Sequence, residues 1–322
     1  MIVYWVLRTC LLLGRALPSR VAERMATLIG LFVYLALPGK RANMKRNLRV
    51  MLGAHAVENG SPATERRIGV LARRSMVAYV LSLLDFFRWP LLLPHVYRDT
   101  QDTPGWEHVD RLLAAGRGAV FATAHFGHWD LAGAAMAHHC PPGTVYAVTE
   151  SFTNPRVDAL VTAERALYGL EAVPMDDVRR MVRVLREGKV LGVLIDRPVD
   201  QDEGVVVRFF GHETRIPAGV ATLALLARVP ILAGFLRQRA DGRFEGTILP
   251  PIEPIRTGNR TADIQQTMQR VVDDLERVIR RSPHQWYMFR AMWPGVAPAA
   301  PRRLALARSL ATSILPLLRR DA

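Results

Sequence analysis

An α/β fold with a mixed, mostly parallel central sheet flanked by helices is predicted by a pattern that occurs twice in this chain. In each case a helical apolar stripe is followed by a glycine, a short apolar strand and a polar residue. The strands cover residues 119–124 and 190–195, and the polar residues that follow them are His125 and Asp196. Ligands gather at the carboxyl ends of parallel strands, so we expect His125 and Asp196 to face one crevice.

Both helical stripes consist of apolar residues spaced three or four apart, which places them on one face of a helix. The stripes are Trp106, Val109, Leu112 and Leu113 before Gly116, and Val178, Met181, Val182 and Leu185 before Gly188. A glycine at such a position adopts the left-handed conformation that ends many helices. Further along, 220–226 predicts a helix, 230–236 a strand, and an apolar stripe from Ile264 to Ile279 a long amphipathic helix.

The charge balance indicates an anionic partner. The chain has a formal net charge of +14, and its basic residues are almost all arginines. Either nucleic acid or an acidic membrane surface would suit such a balance. The charge lies beside apolar segments at both ends of the chain, with few aromatic residues interleaved. This arrangement favours lipid headgroups, and we expect an anionic membrane surface rather than nucleic acid as the partner.

The N-terminal region, residues 1–98, is predicted to be helical and membrane-associating. Its first forty residues contain two apolar runs, both shorter than the roughly 18 residues that a spanning helix needs. Runs of this length suit helices that lie in the membrane interface or a hairpin that enters one leaflet. A basic cluster follows, made of Lys40, Arg41, Lys45, Arg46 and Arg49. A docked soluble helix with a solvated basic face remains the alternative.

Residues 61–98 are rich in leucine and arginine, and the segment WPLLLP is expected to close them. We assign 99–296 to the α/β domain. A proline-rich break and an amphipathic basic tail occupy 297–322, as a second surface anchor or a loosely ordered end. Two distant cysteines, Cys10 and Cys140, provide neither a disulfide framework nor a metal-spaced cluster. We therefore expect a location at the inner (plasma) membrane, on its cytoplasmic face.

The segment AHFGHWDLAG, residues 124–133, has the greatest capacity for chemistry. His125 leaves the strand, Gly127 permits a tight turn, and Asp130 falls near the start of the next helix. A carboxylate in such a turn can reach back to one ring nitrogen of the histidine and leave the other free. The pattern predicts that His125 acts as a general base and that Asp130 orients it.

Other chemistries have weaker support. His125, His128 and Asp130 are not spaced like a helical H-E-x-x-H zinc site, and the neighbouring His138 and His139 would have to fold back to contribute. The chain also lacks a G-x-S-x-G elbow, a P-loop and a dinucleotide fingerprint. We expect no metal and no resident cofactor, and a metal-dependent lipid hydrolase remains the less favoured alternative.

The H-x-x-x-x-D motif from His125 to Asp130 resembles the signature of the lysophospholipid acyltransferase superfamily. The longer context is similar to the bacterial lipid A lauroyl/myristoyl acyltransferases and the related phosphatidylinositol mannoside acyltransferases. Over residues 20–295, the segments that carry this resemblance are KRANMKRNLR, GRGAVFATAHFGHWDLAG, VLIDRPVDQDEG, RFFGHETRIPAG and PHQWYMF.

The resemblance implies a membrane-associated O-acyltransferase that moves a fatty acyl chain from acyl-CoA or acyl carrier protein (ACP) to a hydroxyl of a glycolipid or phospholipid. His125 would deprotonate that hydroxyl, Asp130 would orient the ring, and Asp196 in LIDRP would support the histidine. The LEAVP and FFGHETRIPAG segments favour a phosphatidylinositol mannoside acceptor over a lipid A precursor. A non-catalytic membrane-binding scaffold of the same fold is the alternative.

The resemblance also implies substrate-binding residues. Arg165 would neutralise a phosphate or the developing oxyanion, and Glu150 and Arg215 would contact the substrates more weakly. A surface ion pair is the alternative for Arg165 and Glu150. The family usually has Asn where this chain has His128. If that Asn shapes the turn or the oxyanion site, either His128 replaces it as a substrate-binding residue or the site differs in this detail.

Overall fold

The computed structural model describes residues 2–53, 61–200 and 203–294, so the predicted tail over 297–322 lies outside the described residues. The N-terminal part is helical, as predicted. Its helices are α1 (Ile2–Gly14), α2 (Ser19–Ala36), α3 (Pro38–Met51), α4 (Pro62–Phe86) and α5 (Trp89–Thr100). The expectation that WPLLLP closes this region is wrong, because Trp89 begins α5. Pro90 lies in the first turn of this helix, where its missing N–H has no partner to lose, whereas Pro94 lies inside the helix.

The remaining elements alternate between helix and strand, which confirms the α/β prediction. They are α6 (Trp106–Ala114), β1 (Ala119–Thr123), α7 (Trp129–His139), β2 (Val145–Thr149), α8 (Pro155–Ala166), β3 (Glu171–Pro174), α9 (Val178–Arg186), β4 (Val190–Leu194), β5 (Val205–Phe209), β6 (His212–Ile216), α10 (Gly219–Ala227), β7 (Ile231–Gln238), β8 (Phe244–Ile248) and α11 (Arg260–Arg281). The predicted helix stops are also confirmed, since Gly116 and Gly188 both have positive φ just after α6 and α9.

Within the described residues, six strands form the central sheet in the order β3-β2-β4-β1-β7-β8. All neighbouring strands are parallel except the β7–β8 pair. Strands β1 and β4 are direct neighbours, and Thr123 at the end of one pairs with Leu194 at the end of the other. His125 and Asp196 each lie two residues beyond this pair. The register therefore brings them to the same edge of the sheet, as the strand pattern predicted.

Helices cover both faces of this sheet, and the alternation of side chains along β1 separates two cores. Val120 and Ala122 point into the core that includes α9, α10 and α11. Phe121 points into the opposite core, with residues of α5, α6 and α7. Because successive strand residues point to opposite faces, one buried strand serves both layers. Both cores therefore hold β1 in place, and with it the residues that follow the strand, beginning with His125.

Helix α2 packs against α4 through a narrow stripe of small residues. The buried residues of α2 are Ala22, Ala26, Gly30 and Tyr34. A Cβ added at Gly30 would lie 2.7 Å from the Val77 Cα atom, so the two helix backbones approach closely at this point. Small residues four apart are typical of helix contacts in membranes.

Among the described residues, no single helix is both long enough and apolar enough to cross a bilayer. Two helix pairs reach that length and hydropathy only together, and each pair is sharply bent. They are Ser19–Ala36 with Pro38–Met51, bent by 97°, and Ala63–Phe86 with Trp89–Thr100, bent by 108°.

Gly127 forms the turn between β1 and α7, as the sequence predicted. Its φ is 55°, and a Cβ at this position would lie 2.0 Å from the Leu236 carbonyl oxygen. Its backbone N–H donates to the Gln285 carbonyl at 2.8 Å. Both the dihedral angle and the close approach to β7 require glycine.

Replacing Gly127 with alanine should lower the free energy of unfolding by about 3 kcal/mol or more. The left-handed conformation costs a side chain about 1–2 kcal/mol, and the clash with the Leu236 carbonyl adds to this cost. Urea unfolding followed by circular dichroism measures the change.

Gly143→Ala is the matched control. Gly143 has a φ of 71°, but an added Cβ would meet no atom within 4 Å. The free energy of unfolding of this variant should therefore fall only by the cost of the left-handed conformation, about 1–2 kcal/mol. Equal losses in the two variants would contradict the close approach at Gly127.

Candidate active site

The His125 side chain is held by a buried carboxylate. Its Nδ1 atom lies 2.8 Å from Asp196 Oδ1, and its backbone N–H donates to Asp196 Oδ2 at 3.0 Å. The indole N–H of Trp286 donates to the same Oδ2 atom at 2.9 Å. The Asp196 side chain is fully buried, whereas that of His125 is 16% exposed. The histidine thus has one fixed ring nitrogen and one ring edge directed toward accessible space.

The Asp196 carboxylate is stabilised as an anion despite its burial. Burial raises the pKa of Asp196, but the charge of His125 and the hydrogen bonds from His125 and Trp286 lower it, and the net pKa lies below its ordinary value. A buried anion is tolerated only when such partners compensate for the lost hydration. An ionised Asp196 fixes a proton on Nδ1 and leaves Nε2 as the basic nitrogen.

The expectation that Asp130 contacts the His125 ring is wrong. Asp130 is the second residue of α7, and its Oδ1 atom accepts from Arg165 Nε at 3.1 Å and from Nη2 at 2.9 Å. The carboxylate that contacts the ring is Asp196. The reason lies in the sheet, because the β1–β4 register fixes Asp196 beside the ring while α7 directs Asp130 toward α8.

The Arg165–Asp130 pair adjoins Trp129, whose ring contacts that of His125. Both side chains are mostly buried, with 21% and 23% exposed. The Trp129 ring, from the residue before Asp130, packs edge-on against the His125 ring at 5.5 Å. A small cleft, partly open to solvent, is lined by Trp129, Asp130 and His128 among other residues. The guanidinium of Arg165 is therefore held by a carboxylate at the edge of this cleft.

The other predicted substrate contacts lie on more exposed surface. Glu150 pairs with Arg197, the residue directly after Asp196, and its hydrogen bond from Arg197 holds the pKa of Glu150 below its ordinary value. Arg215 lies on β6, and its Nη1 atom donates to the Glu203 carbonyl at 3.3 Å. The structure joins His125 to Asp196 and Asp130 to Arg165, whereas Glu150 and Arg215 each have a separate partner.

His128 is almost completely buried, although it is one of the residues that line the cleft beside Trp129. Only 4% of its side chain is exposed, and its ring packs edge-on against Phe244. Burial lowers the pKa of His128 to about 4, so the ring is neutral near pH 7. Its Nδ1 atom lies 3.6 Å from Asp85 Oδ2, beyond hydrogen-bonding distance. A neutral ring can still donate or accept a hydrogen bond, so the replacement of the family's Asn by His128 stays a prediction.

A buried ion pair connects this region to the first two helices. Arg88 Nη1 donates to Asp85 Oδ1 at 2.6 Å, and both side chains are almost fully buried. The same guanidinium donates to the Leu17 carbonyl at 3.1 Å and to the Ser19 hydroxyl at 2.7 Å. Losing any of these partners would leave part of a buried charge uncompensated, which is costly. Arg88 therefore holds the α1–α2 connection against the end of α4.

Sequence reasoning did not identify the contribution of the segment after α11. Tyr287 N–H donates to the His125 carbonyl at 2.8 Å, and the Gln285 carbonyl accepts from Gly127 N–H. Phe126 and Trp286 form an isolated antiparallel bridge. These residues belong to the motif PHQWYMF, which carries part of the family resemblance but had no predicted role in the site.

Within the described residues, no three His, Cys, Asp or Glu side chains lie close enough to hold a metal ion together. Two of the histidines considered as ligands stack on aromatic rings instead, His138 on Tyr97 and His139 on Trp106. The chemistry that the site offers is proton transfer. His125 has a base-competent Nε2 atom at the carboxyl edge of the sheet, with an arginine held nearby.

Over residues 1–294, the chain matches the model of the bacterial lipid A biosynthesis acyltransferases. The chain belongs to this family. It is 28% identical over 286 residues to a phosphatidylinositol mannoside acyltransferase of Mycobacterium tuberculosis (strain ATCC 25618 / H37Rv), an alignment that covers 86% of this chain and 84% of the relative. A phosphatidylinositol mannoside acyltransferase of Mycolicibacterium smegmatis is 25% identical over 290 residues, covering 87% of this chain and 88% of that protein. The protein is therefore an acyltransferase, as the resemblance implied.

Proposed function

We propose that this acyltransferase moves a fatty acyl chain from acyl-CoA or acyl-ACP to a hydroxyl group of a membrane glycolipid at the cytoplasmic face of the plasma membrane. The hydrogen bond between His125 Nδ1 and the buried Asp196 carboxylate carries the proposal, because it leaves Nε2 available to a hydroxyl. The relatives' names favour a phosphatidylinositol mannoside acceptor, and the family name leaves a lipid A precursor as the second candidate.

The proposed reaction is a direct transfer. His125 Nε2 takes the proton of the acceptor hydroxyl while its oxygen attacks the thioester carbonyl, forming the new C–O bond. The C–S bond then breaks, and the thiolate leaves with the electron pair and takes up a proton. Because a thiol has a pKa near 8.5, its departure needs little acid assistance. General-base catalysis of this kind supplies about a hundred- to ten-thousandfold in rate.

Arg165 is proposed to stabilise negative charge during this reaction. Its guanidinium is fixed by Asp130, and Asp130 lines the cleft beside Trp129. An arginine held in place before the reaction can neutralise an oxyanion or a lipid phosphate without further reorganisation. In this proposal Asp130 acts by positioning Arg165, and Asp196 acts by positioning His125. Glu150 and Arg215 remain proposed contacts for the polar parts of the substrates.

Membrane attachment is proposed to occur through α2. The side of this helix opposite its contact with α4 is apolar and exposed, with Leu28, Phe32 and Leu35 between 68% and 71% exposed. An apolar helix face of this kind is stable when it enters the acyl region of a bilayer. Arg20 and Arg24 are exposed in the first two turns of α2, and Lys40 is exposed in the first turn of α3. Their positive charges suit anionic headgroups at a cytoplasmic surface.

Replacing His125 with alanine should lower the rate of acyl transfer by at least about a thousandfold, because it removes the base that takes the proton of the acceptor hydroxyl. The assay uses purified protein in detergent with palmitoyl-CoA or palmitoyl-ACP as donor. Phosphatidylinositol mannoside and a lipid A precursor are offered as acceptors, and labelled lipid product is measured.

His138→Ala is the matched control, because this ring stacks on Tyr97 near the far end of α7. It should retain the wild-type rate. A near-normal rate for His125→Ala would contradict the proposed base. A wild-type protein that labels neither acceptor from either donor would contradict the proposed substrates and favour a scaffold.

The double variant Leu28→Glu/Phe32→Glu should bind vesicles at least about tenfold more weakly. Each apolar side chain contributes about 1.5–3 kcal/mol when it leaves water, and a charge in its place removes this contribution. Co-sedimentation with vesicles of phosphatidylcholine and phosphatidylglycerol measures the change.

Thr27→Glu is the control for this variant. Thr27 is an exposed residue on the flank of the same helix, so its substitution adds a similar charge outside the apolar face. It should bind vesicles nearly as well as the wild type. Equal binding by the double variant and the wild type would contradict attachment through α2.

A further inference from the structure

Residues 285–287, which follow α11, contact both the turn from His125 to Gly127 and the Asp196 carboxylate. The backbone contacts are Gly127 N–H to the Gln285 carbonyl and Tyr287 N–H to the His125 carbonyl, both at 2.8 Å. Between them, the Trp286 indole N–H donates to Asp196 Oδ2 at 2.9 Å. One short segment therefore fixes the ends of both β1 and β4, although its position in the sequence is far from either strand.

The Trp286 ring is itself immobilised by packing. It is 3% exposed and lies edge-on to Phe209 with ring centroids 5.6 Å apart. Trp293 packs on the same cluster, with its centroid 6.2 Å from that of Trp286. A side chain with so little freedom directs its N–H at one point, which is the Asp196 oxygen that does not contact the His125 ring.

The two carboxylate oxygens of Asp196 have different partners. Oδ1 contacts the imidazole, while Oδ2 accepts from the His125 backbone N–H and from the indole. Rotation of the carboxylate would break all three contacts at once. The direction in which Nε2 points is thus set by the carboxylate, and the carboxylate is set by Trp286 from its other side.

We propose that Trp286 is a positioning residue for acyl transfer, whose indole N–H holds the Asp196 carboxylate so that His125 presents Nε2 to the acceptor hydroxyl. This inference rests on the proposed function. It assigns a task to the PHQWYMF motif that goes beyond packing.

The hydrogen bond from Trp286 also offsets part of the negative charge of Asp196 and so weakens its attraction for a proton on the His125 ring. His125 is the charged side chain that acts on Asp196, and Tyr287, next to Trp286, packs its ring against that of Trp129. These groups remain unchanged when the indole N–H alone is removed. The carboxylate then attracts a proton on the imidazole more strongly, so the base becomes protonated at higher pH.

The test replaces Trp286 with 3-benzothienylalanine, which keeps the shape of the ring but has sulfur in place of the N–H, and separately with phenylalanine. With palmitoyl-CoA and phosphatidylinositol mannoside in detergent, we expect kcat to fall about ten- to hundredfold with both KM values unchanged. The acidic limb of the kcat profile should move to higher pH by up to about one unit.

Trp293 supplies the matched control. It is equally buried in the same aromatic cluster, but its indole N–H donates to the Phe209 carbonyl at 3.1 Å rather than to the catalytic pair. The same two replacements at Trp293 should leave kcat and the acidic limb unchanged. Thermal unfolding of each variant separates a loss of folded protein from a loss of rate.

A second readout needs no substrate. The proton between His125 Nδ1 and Asp196 Oδ1 should resonate far downfield in the proton NMR spectrum, and His125→Ala identifies it by its loss. We expect this resonance to move in the Trp286 variants and to stay in place in the Trp293 variants. If the Trp286 analogue leaves the resonance, kcat and the acidic limb as in the wild type, the positioning role is refuted.

Equal losses of kcat at Trp286 and Trp293, without movement of the limb or the resonance, would also overturn it in favour of simple packing. A wild-type protein that transfers no acyl group would overturn the proposed function instead, while the NMR comparison would still decide the role of Trp286.

Discussion

The burial of one negative charge constrains the rest of this structure. Asp196 has no exposed surface, and a buried carboxylate without partners would cost several kcal/mol. The His125 ring, its backbone N–H and the Trp286 indole provide those partners. Strands β1 and β4 must therefore be neighbours, the Gly127 turn must close tightly, and the segment after α11 must return to the same edge of the sheet. The contacts that compensate the buried charge of Asp196 are the same contacts that hold His125, the general base of the proposed reaction.

Two ion pairs extend this arrangement toward the first helices of the chain. Arg165 holds Asp130 beside the cleft, and the neighbouring Glu164 accepts from Arg15 just after α1 at 3.0 Å. On the other side, the buried Arg88–Asp85 pair fixes the connection between α1 and α2. The helices proposed to contact the membrane are thus tied to the elements that carry the site. An enzyme built in this way can meet a lipid acceptor without drawing its acyl chains fully into water, which costs about 0.8 kcal/mol for each CH₂ group.

The sequence predicted the features that depend on local pattern. The pairing of His125 with Asp196 at one sheet edge follows from two repeated helix–glycine–strand units, and the glycine stops at Gly116 and Gly188 have the expected conformation. The partner of Asp130 was not predictable in this way. Proximity in sequence suggested His125, but the direction of a side chain at a helix start depends on which helix packs beside it, here α8 with Arg165.

The β5–β6 hairpin was not predicted either, although Phe210 and Gly211 both have positive φ in its turn, as two-residue hairpin loops require. The contact between Trp286 and Asp196 was not predicted, because Trp286 does not follow a strand of the sheet and no local pattern places it at this edge.

The central claim is that Asp196, and not Asp130, is the carboxylate that acts on His125. The pH dependence of kcat for Asp196→Asn and Asp130→Asn tests it most directly, because an adjacent anion favours protonation of the base. The account predicts that the acidic limb moves to lower pH in Asp196→Asn and keeps its wild-type position in Asp130→Asn. Movement of the limb in Asp130→Asn, with Asp196→Asn unchanged, would contradict it.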